Sequence, residues 1–105
     1  MSVQTWAVGR ALDRAVATHV FGDPPTADPP AYSADIAAAW RIVYQLQARG
    51  WSLLLHGRLQ RDDPVWTCTV MGPEGPVVYA HGPIAALTLC RAALLATTSP
   101  APPGD

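Results

Sequence analysis

Three histidines, seven arginines and two cysteines supply most of the side chains with which this chain could do chemistry. Two short stretches concentrate them. In "YAHGPIAA", His81 and Gly82 stand just before an apolar helical run. The start of a helix exposes backbone N–H groups and the positive end of the dipole, which suits an anion, and glycine lets it come close. In "HGRLQRDD", His56, Arg58 and Arg61 can flank a small anionic ligand, because guanidinium forks match carboxylate and phosphate. Each stretch has a plainer reading. Gly82-Pro83 is also ordinary helix-start chemistry beside a surface His81. The second stretch also reads as a solvated hairpin in which Arg61 pairs with Asp62 or Asp63. Arg91 falls inside a leucine-rich arc, where its charge must snorkel, find a partner, or face an interface or ligand.

Beyond these, the sequence carries no reaction signature. There is no Ser-His-Asp order with supporting context and no glycine-rich phosphate loop. The single glutamate, Glu74, sits in a turn, and Asp62-Asp63 are adjacent and solvated. Cys68 and Cys90 are 22 residues apart without clustered histidines, which reads as two buried free thiols in a reducing compartment. His19 lies on an apolar helix face near its end, placed to pack and meet the last carbonyls. The expectation is a protein that is not an enzyme, with no catalytic residues, no metal and no cofactor.

These residues need elements to position them. At 105 residues, half of them hydrophobic, the chain fits one packed domain over 1–98. An N-terminal helix is predicted over 5–22, with Val8, Leu12, Ala15, Val16 and Val20 on its apolar face and Arg10, Asp13, Arg14 and Thr18 opposite. Gly22 closes it. "DPPTADPPA", within 23–32, is a proline-rich extended connector that lets the helix pack on its own domain or a neighbouring subunit. The core, 33–98, opens with a helix capped by Ser33 with Asp35 in its first turn. Ile36, Trp40, Val43 and Leu46 or Gln47 form its predicted buried stripe, and Gly50 turns the chain into a strand at Trp51. Strands are predicted in "WSLLLHGRL", "VWTCTVM" and "PVVYA", forming an antiparallel meander. A last helix, "PIAALTLCRAALLATT", has Pro83 at its first position and is apolar on two faces. Residues 99–105 form a frayed tail. The fold class is α+β, a three-stranded antiparallel sheet packed between helices.

"YSADIAAAWRIVYQL" followed by three short strands, with "GPIAALTLCRAALLA" at the end, resembles the phage ABA sandwich domain family. "GRALDRAVATHVFG" is similar to the lead-in segment of such proteins, so the likeness spans roughly residues 8 to 97. It implies a sheet held between helices and a phage or prophage source. It implies no reaction and carries over no site residues. The absence of lysine and the abundance of alanine agree with a GC-rich coding bias in a bacterium or its phage.

A net charge of −1 argues against nucleic acid, which calls for a basic stripe. The helix–three-strand–helix order is shared with double-stranded RNA-binding domains, but "HGPIAALTLCR" lacks their basic helix start. No apolar run reaches the ~20 residues of a membrane span, and "MSVQTWAVGRALDRA" has charges where a signal peptide needs an apolar stretch. The expected place is the host bacterial cytoplasm. Two functions follow as expectations. One is a non-enzymatic phage accessory protein that binds a host or phage protein, with counter-defence as one setting. The other is an oligomeric binder that sequesters a nucleotide-like signalling molecule, through the "HGP" helix start with Arg58, Arg61 or Arg91. A homo-oligomer is expected, with Trp6, Leu89 and Leu94 at its interface.

Overall fold

The computed structural model describes residues 6–24, 28–75 and 77–98. In chain order the elements are α1 (Arg10–His19), α2 (Ile36–Ala48), β1 (Ser52–Gln60), β2 (Asp63–Met71), β3 (Val77–Gly82) and α3 (Ala85–Thr98). The strands form one antiparallel meander in the order β1-β2-β3. This is the predicted α+β class and element order. Residues 99–105 and the middle of the connector lie outside the described residues.

Alternation decides which side of the sheet is buried. Register aligns Leu53 with Val70 and Leu55 with Cys68. The same two rows continue onto β3 through Val78 and Ala80. These side chains point at α3, which lies across all three strands. The other side of α3 is covered by α1 and α2, and α2 also reaches over β1. A helix apolar nearly all round is thus enclosed, and Ala86 through Cys90 and Ala92 through Leu94 are buried. Among the described residues the opposite face of the sheet stays open.

Several local expectations are corrected. Among the described residues the first helix runs over Arg10–His19, short of the predicted 5–22: Gly9 at φ 156° sets its start, and the chain turns at Val20 and Phe21 before Gly22 at φ 71°. Leu12, Val16 and Val20 are buried as predicted, but Val8 is exposed. Asp13, assigned to solvent, is 6% exposed. Ser33 does not cap the second helix. Asp35 does, its carboxylate accepting from Ala37 N at 3.0 Å. The buried stripe of α2 is Ala39, Ile42 and Leu46, with Val43 at its margin, whereas Ile36 and Trp40 are about half exposed. Pro83 precedes α3, which begins at Ala85. Gly50 behaves as predicted. Its φ of 85° lets Trp51 N reach back to Leu46 O at 3.0 Å and reverses the chain into β1.

Candidate functional site

The open face of the sheet gathers three of the residues singled out in the sequence. His56 pairs across the ladder with Thr67, and Thr67 with His81, so the three form one cross-strand row. His81 Nδ1 lies 3.0 Å from Thr67 Oγ1. Arg58, two positions along β1, faces the same way and is exposed. On the other side of the row, Leu54, Thr69 and Tyr79 form the next, followed by Ser52, Met71 and Val77. Leu54 and Tyr79 are each 57% exposed, and Met71 and Val77 each 43%. The face is a flat apolar and aromatic floor bordered by two imidazoles and a guanidinium. His56 and His81 sit on strands separated by β2, about 10 Å apart at the backbone. No group of three or more potential metal ligands occurs among the described residues.

The other half of the predicted site is structural. Arg91 donates from Nε and Nη2 to the Trp6 carbonyl at 2.9 and 2.8 Å, and from Nη1 to the His81 carbonyl at 2.8 Å. Burial pulls its pKa below the usual arginine value. The buried-in-leucine charge foreseen in the sequence therefore has its partners, and they are backbone oxygens. It ties the N-terminal segment and the end of β3 to α3. Gly82 lies on the inner side of the sheet, where a Cβ would stand 2.6 Å from Thr88 Oγ1 and 3.4 Å from Arg91 Nη1. The space that glycine leaves is filled by the protein's own side chains. Thr88 Oγ1 is engaged with Ile84 O at 2.8 Å.

Arg61 lies in neither set. It occupies the β1–β2 turn with φ 53°, beside Asp62 at φ 70°, and among the described residues no ion pair joins it to Asp62 or Asp63. Leu89 and Leu94, expected at an interface, are enclosed in the chain's own core, because α1 and α2 already cover that side of α3. Trp6 is partly buried, and its indole N–H has no hydrogen-bond partner. It lines a shallow groove of about 440 Å³ with the start of α1. A second hollow, of about 290 Å³, lies at the outer end of the β1–β2 hairpin between Gly57, Arg58, Leu59, Pro64 and Trp66. There the Trp66 indole lies so close over Gly57 that an added Cβ would meet the ring at 2.9 Å.

Sequence reasoning missed one buried polar centre. Asp13 Oδ1 accepts from Ser33 N at 2.7 Å and Ser33 Oγ at 2.6 Å, and Gly9 N donates to Ser33 Oγ at 3.0 Å. It pins the start of α1 to the chain just before α2. Cys68 and Cys90 are buried free thiols. Burial pushes the Cys68 pKa up to about 12. Cys90 is driven higher, first by burial and then by the charge of Asp13. Both stay protonated and inert at neutral pH.

Fold and site together define a small α+β domain with one covered and one open sheet face. The chain belongs to the phage ABA sandwich domain family, which matches it over residues 14–94. No curated protein and no solved structure matches it. No helix among the described residues is long and apolar enough to cross a membrane.

Proposed function

We propose that the chain is a non-catalytic phage or prophage binding module that holds a host or phage protein against the open face of its sheet. The carrying observation is the exposure of Leu54, Met71, Val77 and Tyr79 on one flat surface, bordered by His56 and Arg58. Contiguous exposed apolar area rimmed by polar groups is the signature of a protein contact. Aromatic and arginine side chains are the residue types that anchor such contacts. In a pull-down from lysate of the bacterial host, the wild-type chain retains a partner that the double variant Leu54→Ser, Tyr79→Ser loses, while both give the same circular dichroism. Retention by that variant overturns the open-face reading.

The sequestering reading has one observation in its favour. The hairpin hollow is walled by the Trp66 indole beside Gly57, Leu59 and Pro64, a surface on which the planar base of a nucleotide can stack, while the Arg58 side chain points to the other face of the sheet. Gly82 and Arg91 leave this reading because both are committed to the fold. Native mass spectrometry of gently purified protein decides it. A retained small-molecule mass that vanishes in Trp66→Leu but survives Leu54→Ser supports the hollow as the site.

A further inference from the structure

We infer that a second copy of this chain docks along the free edge of β1, pairing β1 with β1 across a two-fold axis and packing α2 against α2. This goes beyond the partner reading above and does not depend on it, because it uses the edge of the sheet and not its open face.

β1 is a nine-residue edge strand, since the sheet order places only β2 beside it. Such an edge presents unpaired N–H and C=O groups, and folds that must stay single protect it with lysine, proline or a bulge. Ser52–His56 has none of these and no formally charged residue. The other edge, β3, is shorter at six residues and follows directly on Pro76.

The helix above that edge is unfinished. Gln45 and Arg49, on one flank of α2, reach Val20 at the end of α1, at 3.4 Å and as a short hydrogen bond of 2.5 Å. Ile36, Trp40 and Tyr44 follow the i, i+4, i+8 spacing on the opposite flank and are 47%, 45% and 63% exposed. The ridge has a centre, since Ile36 and Tyr44 stand four residues on either side of Trp40. A two-fold axis through Trp40 lays Ile36 of one copy on Tyr44 of the other, as an isologous contact demands.

The same axis meets β1 at its middle. From Leu46, whose carbonyl accepts from Trp51 N, Trp40 lies six residues back along the helix, about 9 Å at 1.5 Å per residue. About 9 Å along β1 from Trp51 reaches Leu54, at 3.3 Å per residue. Pairing about Leu54 sets Leu53 against Leu55 and Ser52 against His56, with no like charges opposed. The exposed parts of the ridge and the paired edge together bury roughly 500–600 Å² per copy, the size of a modest interface. A six-stranded sheet results, and its two open faces merge into one surface.

Sedimentation velocity on the full chain across 1–100 µM (a range set by the ~µM affinity of modest interfaces) tests the arrangement. The wild type sediments as a dimer. Trp40→Glu and Ile36→Glu, both at exposed positions, keep the native circular dichroism and weaken the dimer about 30-fold or more, as loss of a central anchor does. Met71→Glu, on the open face, leaves it unchanged. Trp40→Cys cross-links under mild oxidation, with both native thiols buried. A monomeric wild type overturns the inference. So does a dimer that survives both α2 variants, and so does one that Met71→Glu dissociates.

Discussion

Asp13 is buried on a helix that has other residues for its polar side, and it is tolerated because Ser33 supplies both an N–H and an O–H to one carboxylate oxygen. A hydrogen bond to a charged group contributes more than a neutral one, and a buried acceptor stripped of its donor carries the desolvation cost alone. Ser33→Ala therefore lowers stability by about 1–3 kcal/mol in urea unfolding at pH 7, with the denaturant slope unchanged. A loss within a few tenths of a kcal/mol would mean that the Ser33 N–H suffices. The thiols make a second prediction at this scale. Folding keeps Cys68 neutral far above its ordinary 9.0, so its contribution is complete below that value and is lost as pH climbs toward about 12. Cys90 acts in the same sense. Each group that ionises in the unfolded chain but not in the fold costs about 1.4 kcal/mol per pH unit. Unfolding midpoints should thus fall between pH 9 and 11 and fall less in Cys68→Ala. At pH 8, a thiol reagent should label neither cysteine until the protein unfolds.

At the scale of elements, the β1–β2 hairpin carries a cost that its sequence could have avoided. Arg61 and Asp62 both take positive φ, as a two-residue turn with the right twist requires, though neither is the glycine or asparagine that adopts it freely. Asp62→Gly should stabilise the chain by about 1 kcal/mol in thermal or urea unfolding. Gly57→Ala should do the reverse, since its methyl group displaces the Trp66 ring, and a red shift in tryptophan emission should accompany the loss. The strands and their turns were legible because alternation and turn chemistry are local. The phase of α2 was not. Ile36 and Trp40 are the bulky residues that draw a predicted stripe toward themselves. The packed side centres instead on Ala39, whose small side chain permits close approach to the alanine-rich α3. Asp13 was misassigned for a related reason: its partner is 20 residues away, beyond the connector, and no local pattern announces it. His56, Arg58 and His81 stood out in the sequence as chemistry-bearing residues. Only the strand register shows that they share a face while Gly82 and Arg91 turn inward.

Across the whole molecule, order is graded along the sheet. Its Leu53–Leu55 end is backed by α3 and α2, whereas every β1 residue from His56 to Gln60 is exposed and the hairpin runs on past the helices. Arg91 closes the opposite side of the structure, holding Trp6 to α3 across 85 residues of sequence. Local opening follows buried contact, so amide exchange should separate these regions. Leu87–Leu94 in α3 and Cys68–Val70 in β2 should exchange only through global unfolding. Arg58–Asp63 should exchange faster by about 100-fold or more. Arg91→Ala should leave that hairpin unchanged while it speeds exchange at residues 6–12, because it frees the Trp6 carbonyl without touching β1 or β2. If the hairpin instead proves as slow as α3 at micromolar concentration and quickens on dilution, it is being covered in solution by another chain. Such concentration dependence would mark the arm itself as a contact surface.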